Sequence, residues 1–512
     1  MSDFKHGFRT LLGLIMLPVA IFVATGCNGQ PTPIQPTFTL PTITLLTFTK
    51  KPATLSPVNT PRPLPLFSSP TGTQVTYHTP TPSLPLNNVG PWIFDDIGEM
   101  VYSMDGGSAE LAHLDIAEAF NHYAIAPQGG WLAIKPGYNN PWSQEAEYEI
   151  LIYHLPDNQP VQRFLLLGDP AREAIRKAVD HGALDPMGPA VVNSLVFEDN
   201  MLWSSNARYL AFAAALDGTS SDIYLFDTYS DSLQRLTSEE DQVVLMSWSP
   251  DDQTIIYATA GQLFDNGFQD LETIWAVDIE SGEINSLYSA RAGREPIFGW
   301  ISTDTFIVGA YNFESPLWGL SRVKISQPGL QPIMDGYLDG VDLEMDSGTI
   351  LVEINRSYWE PTIPKGIYRL DSRNGRMEML ISGENLYLWG WMSEISAYAI
   401  YNANMDQVKF LNINGETILT LPMPGNSHSS FTAPSPDGHF IVVGETSIYT
   451  LSGELIKEWT GSRFLSWLPD SSGVVAENCS QGFFEVRLSI NDWQPVKVTT
   501  LGREYCYYRI VP

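Results

Sequence analysis

A large apolar residue followed by a tight polar turn recurs along this chain, and that recurrence limits what the chain can fold into. The clearest copy is Met246-Ser247-Trp248-Ser249-Pro250-Asp251-Asp252. It is followed by the run Thr254–Ala258, a polar loop, the run Ile274-Trp275-Ala276-Val277-Asp278, and Ser281-Gly282 before a last short stretch to Leu287. Trp248 closes a first strand. Pro250 fixes φ for the first central position of a turn, and Asp251 and Asp252 supply turn-favouring acceptors. Thr254–Ala258 is β-branched and aromatic without Gly or Pro, as an inner strand between packed sheets requires. Ser281-Gly282 offers a residue that tolerates positive φ for a final hairpin. The unit therefore reads as four short antiparallel strands. One such sheet cannot bury both of its apolar faces alone, whereas several stacked around an axis can.

Aligned on the turn, the anchors are Ile125, Trp203, Trp248, Trp300, Leu343, Trp391, Pro434 and Trp467, with spacings of 78, 45, 52, 43, 48, 43 and 33 residues. All but the first and last lie near the period of a propeller blade. The complete Ser-Pro-Asp turn appears twice, at Ser249-Pro250-Asp251 and at Ser435-Pro436-Asp437, and a partial one follows Trp467. A third-strand motif also repeats, as Ile223–Asp227, Ile274–Asp278 and Ile367–Asp371. These units resemble the WD-like repeats of the TolB family of β-propellers, over residues 92–512. The expected fold is all-β, a propeller of four-stranded blades. Eight blades are favoured; seven follow if one unit is degenerate, and nine if a shared terminal blade is separate.

The N-terminal end is different in kind. Lys5 and Arg9 precede the thirteen-residue apolar run Leu11–Val23, then Ala24-Thr25-Gly26-Cys27. The run is short for a membrane span and reads as a secretory signal over residues 1–26. It resembles a bacterial lipoprotein signal, which implies a lipidated Cys27 as the mature N-terminus, although Ala24 stands where that family usually has Leu. Ordinary signal cleavage after Gly26 is the alternative, and the two differ only in the lipid. Residues 28–88 hold 13 Pro and 14 Thr and no acid. Such a stretch forms neither helix nor central strand. Residues 27–91 therefore read as the lipidated Cys and a disordered Pro/Thr-rich linker, placing the propeller outside the cytoplasm on a bacterial membrane.

Charge separates the two parts. From Asp95 onward there are 57 acids and 23 Lys or Arg, a net charge of −34. That field opposes nucleic acid and anionic lipid. Met100–Met104 and Glu110–His113 are candidate strands without a full unit before them, and Tyr505–Val511 is a lone strand at the other end. The two ends are expected to share one blade, which removes both free sheet edges. Cys479 and Cys506, in the last unit and the terminal strand, are candidates for a disulfide across this closure, with two separate buried thiols as the alternative. In the longest spacing, Asp169-Pro170 reads as a helix start and Gly182 as a stop, giving a short amphipathic helix over Pro170–His181. Gly137–Glu147, with Trp142, reads as a second decoration.

Catalytic signatures are lacking. His113, His122, His154, His181, His428 and His439 show no metal-ligand spacing, and no phosphate loop or Gly-x-Ser-x-Gly elbow is present. No cofactor and no metal are expected. Trp203, Trp248, Trp300, Trp391 and Trp467, with Pro250, Asp251, Pro436 and Asp437, are read as structural residues of the repeat. Trp389 and Trp391, two apart, are expected on one side of a strand. The function expected is a non-catalytic binding or scaffold module for an envelope protein, peptide or polysaccharide. The alternative is a propeller hydrolase acting on glycans or lactones.

Overall fold

The computed structural model describes residues 92–511, apart from connecting segments of which the longest are 136–147, 181–194 and 487–495. These residues belong to one compact unit, Thr73–Pro512. They form nine four-stranded antiparallel sheets, the blades of a β-propeller. Eight are built from consecutive strands and each carries one anchor, so they are numbered blades 1–8 here. Their first strands are His122–Ile125, Met201–Trp203, Gln242–Trp248, Ile297–Ser302, Gly340–Leu343, Leu386–Met392, Thr432–Pro434 and Arg463–Trp467. First strands of successive blades touch one another, as in blades 1 and 2, 5 and 6, and 6 and 7, so they form the inner layer around the axis.

The eight expected blades correspond to the eight anchored sheets; the shared sheet is separate and makes nine. In it, Tyr508–Val511 pairs antiparallel with Trp92–Asp95, which continues to Met100–Ser103 and Glu110–His113. The last strand touches the first strand of blade 8 and so takes the inner position. Blade 7, behind the short 33-residue spacing, is complete: Thr432–Pro434, Phe440–Val443, Ser447–Thr450 and Leu455–Glu458 are simply short strands.

The long first spacing holds the helix Asp169–Asp180, one residue earlier at its start than the sequence implied. Its first bond runs from Arg172 N to Gly168 O at 3.1 Å. Ala171 is fully buried in the core shared by blades 1 and 2. Gly168 is fixed by a close approach: a Cβ there would lie 1.9 Å from Leu216 O. The helix is thus packed on blade edges, at the joint between two blades.

In each blade the first-to-second and third-to-fourth turns fall on one face, here the turn face. The second-to-third and blade-to-blade connections fall on the other, the loop face. In blades 3 and 4 the middle strands are long, Thr254–Leu263 with Gln269–Asp278 and Thr305–Asn312 with Ser315–Lys324, so two hairpins rise on the loop face.

Candidate functional site

The repeat residues are consumed by the turn face. In blade 3, Ser249 N donates to Thr254 O at 2.8 Å and Asp252 N to Ser249 O at 3.0 Å. The Ser249 hydroxyl donates to Asp251 Oδ1 at 2.6 Å and accepts Thr254 N–H at 2.9 Å. Blade 2 repeats this with Ser204, Asn206 and Tyr209, and blade 7 with Ser435, Asp437 and Phe440. The serine is the hub of the turn, and all three are buried. The sequence motif includes Ser249 and Ser435 but assigns the turn chemistry to Pro250, Asp251, Pro436 and Asp437. Partial burial pushes the Asp437 carboxyl up, yet the Ser435 hydroxyl and the His439 amide and ring hold it below the usual carboxylate range.

The fourth turn position is left-handed: φ is 59° at Ala207, 56° at Asp252, 68° at Gly438 and 60° at Ser471. At Asp252 and Ser471 the side chain points at the preceding turn. Asp252 accepts Ser205 N at 2.8 Å, Ser205 Oγ at 2.6 Å and Asn206 N at 3.2 Å, joining blade 3 to blade 2. Ser471 Oγ accepts Asp437 N at 3.0 Å, joining blade 8 to blade 7. At Gly438 the preceding turn comes so close that a Cβ would lie 2.6 Å from Glu394 O.

The tryptophans join blades in the same sense. Trp203 Nε1 donates to Ala124 O at 3.0 Å, Trp248 Nε1 to Leu202 O at 3.2 Å, and Trp467 Nε1 to Ala433 O at 3.0 Å. Trp300 Nε1 donates to Ser247 Oγ at 3.1 Å. Each partner lies on the first strand of the preceding blade. Trp391 packs against a cluster that holds Leu351 and Ile367 of the preceding blade, with its ring 4.6 Å from Tyr398 of its own blade.

Trp389 and Trp391 do not share a side. A β-bulge between Leu388 and Gly390 inserts one residue, and Trp389 turns to the core shared with blade 7. Bulges interrupt the first strands of blades 3, 4 and 8 as well, just before Trp248, Trp300 and Trp467. An edge strand leaves N–H groups unpaired on its axial side, and two buried acids of blade 5 serve that need in blade 6. Glu353 Oε2 accepts Leu388 N at 2.6 Å and Asp342 Oδ2 accepts Trp391 N; each residue is 6% exposed.

The loop face of blade 6 differs from this closed machinery. Tyr387, the second residue of the first strand, is 42% exposed. Its ring stacks on Tyr401 at 6.1 Å and 25°, and Tyr401 stacks on buried Trp389 at 5.2 Å and 20°. The Tyr401 hydroxyl donates to Asp406 Oδ1 at 3.0 Å. Asn385 Nδ2 donates to Asn404 Oδ1 at 3.0 Å, and Asn404 Nδ2 to Glu384 O at 2.9 Å. Lys365 pairs with Glu384 at 2.9 Å. Asn385, Asn404, Met405 and Asp406 are exposed. The result is an aromatic ledge, backed by two further rings and rimmed by amides and one carboxylate. Nothing in the repeat marks Tyr387, so the sequence reading passed over it.

A second exposed ring, Tyr229 at 79%, lies on the turn face of blade 2. Arg208 sits between it and Tyr209, 5.4 Å and 4.6 Å from the two ring centres, and pairs with Asp227 at 2.9 Å. This cation is already committed inside the blade.

Cys27, Cys479, Cys506 and the decoration Gly137–Glu147 lie outside the described residues. Among the described residues, no three His, Cys, Asp or Glu side chains gather as metal ligands, and no helix is long and apolar enough to cross a membrane.

No family model matches the chain, and no curated protein matches it. Solved structures do. The chain is similar to a eukaryotic initiation factor at 10% identity, covering 83% of this chain and 96% of that one, with a TM-score of 0.49. It is similar to the dipeptidyl peptidase 4 of Porphyromonas gingivalis at 11% identity, with 78% and 64% covered and a TM-score of 0.45. It is similar to the oligogalacturonate lyase of Vibrio parahaemolyticus at 15% identity, with 53% and 84% covered and a TM-score of 0.34. At such identities the likeness is one of fold.

Proposed function

We propose that the chain is a TolB-like propeller lipoprotein, anchored through Cys27 to the outside of a bacterial membrane, that acts as a non-catalytic binding module. Its partner is an envelope protein, peptide or polymer, met by the loop face. The observation that carries this reading is the aromatic ledge at Tyr387. The repeat residues with chemical capacity are spent on turns and blade joints, whereas the ledge presents an exposed ring and unspent polar atoms. The signal-like start, the Cys directly after it and the Pro/Thr-rich stretch support the anchor.

In-cell crosslinking of the full chain, followed by mass spectrometry of co-purifying molecules and of the protein's own N-terminal peptide, tests this. The expected result is a reproducible, near-stoichiometric partner joined through loop-face residues, with Cys27 acylated. An unmodified Cys27 removes the anchor, and a partner held by the turn face removes the site.

A second reading, a propeller hydrolase acting on glycans or lactones, is favoured by Asp342 and Glu353, two buried carboxylates of blade 5 that each also accept a backbone N–H of blade 6. Turnover of a glycan or lactone, abolished by Asp342→Asn in a folded protein, would replace the binding-module reading.

A further inference from the structure

We infer that the Tyr387 ledge is a subsite for a neutral hexose polymer. The inference rests on the binding-module reading and gives it a ligand class. Three observations carry it.

The first is the ring. Tyr387 has one face covered by Tyr401, so its exposure lies on the sides away from that stack. A pyranose offers a patch of C–H groups about as broad as one aromatic ring, and such C–H groups are drawn to the negative π face. The ledge is already ordered: Tyr401 is fixed by its bond to Asp406 and by Trp389 behind it. Little conformational freedom is lost when a sugar lands on it.

The second is the rim. Asn385 and Asn404 each use their amide in one donor bond. Asn385 keeps its carbonyl oxygen for a donor from outside, and Asp406 keeps its second carboxylate oxygen. A carbonyl, a carboxylate oxygen and remaining amide N–H groups beside a flat ring match adjacent hydroxyls, which both donate and accept. Asn385 and Asp406 stand at φ of 56° and 54°, a conformation that these residue types tolerate, and their bonds with Asn404 and Tyr401 hold both side chains at the loop-face rim.

The third is charge. Among the described residues the rim's cation, Lys365, is held by Glu384, and Asp406 adds a negative charge. The chain as a whole carries −30. Uronate, sulfate and phosphate polymers are repelled. A protein partner is less well matched: among the described residues, Tyr387 and Met405 are the exposed large apolar side chains of the rim, whereas a protein interface has an apolar core ringed by polar atoms.

The test is affinity electrophoresis of the full chain through gels holding β-glucan or galactomannan, with polygalacturonate and heparin as anionic probes. At least one neutral polymer should retard the protein, and neither anionic one should. Tyr387→Ala should weaken retardation about tenfold or more. Tyr387→Phe should retain it, because the ring and not the hydroxyl does the stacking. Tyr229→Ala, on the opposite face, should retain it too. Retardation by the anionic probes alone, by no polymer, or equally with Tyr387→Ala overturns the inference. A protein crosslinked at the ledge, with no neutral polymer bound, overturns the glycan while leaving the binding-module reading in place. No polymer and no crosslinked partner overturns both.

Discussion

At the scale of single residues, a few side chains decide whether neighbouring blades stay joined. Asp252 is 4% exposed and accepts three bonds from the turn of blade 2. Asp252→Ala strands two backbone N–H groups and a hydroxyl, and should cost about 3 kcal/mol, read as a lower urea midpoint with an unchanged slope. Acid should act in the same direction. The Asp278 carboxyl is held below the usual range by the Ser281 amide and hydroxyl. The Asp227 carboxyl is pushed up by burial but lowered overall by Arg208 and the Tyr229 amide. Groups depressed in the folded state contribute stability above their unfolded value, near 3.9 for Asp, and lose it as pH falls through the folded value. Urea midpoints should therefore be insensitive to these groups between about pH 7 and 5 and drop below about pH 4. The residue-level chemistry was only partly legible in the sequence. Trp203, Trp248, Trp300, Trp391 and Trp467 declared themselves by recurrence. The reach of Asp252 depends on where the neighbouring turn sits, which no local pattern states.

At the scale of elements, the blade is a repeated solution with local exceptions. Each indole packs on the preceding blade, and four donate to it. Trp467→Phe should cost about 1 kcal/mol for the lost bond, and Trp467→Ala about 3–5 kcal/mol for the lost packing, measured by thermal or urea unfolding. Gly438 combines φ of 68° with the approach of Glu394 O, so Gly438→Ala should destabilise by more than about 1 kcal/mol, whereas a glycine at open Gly282 gives no such contact. The bulges show why element-level reading went astray at Trp389. One inserted residue reverses every later side chain, and the inserted residue looks like any other in the sequence. The strand Trp92–Asp95 escaped notice for a related reason: it lacks the turn that marks every anchored unit. The helix was legible because Asp169-Pro170 states its start chemically.

At the scale of the whole molecule, closure and exposure divide the labour. Tyr508–Val511 supplies the inner strand of the ninth sheet and pairs all four of its residues with Trp92–Asp95. Deleting the chain from Tyr508 onward should expose that edge, lower the melting temperature and promote association, seen by thermal scanning and size-exclusion chromatography. The propeller class was legible from spacing alone, since the apolar faces of four-stranded units leave few other arrangements. The ledge was not, because exposure at Tyr387 follows from which loops surround it. On the proposed reading, the loop face binds and the turn face only holds blades together. Co-sedimentation of purified Cys27→Ser protein, which lacks the proposed lipid anchor, with isolated cell envelopes tests this most directly, comparing that chain with the same chain carrying Tyr387→Ala or Tyr229→Ala. Tyr387→Ala should abolish sedimentation and Tyr229→Ala should leave it intact. Sedimentation lost with Tyr229→Ala and untouched by Tyr387→Ala would contradict it.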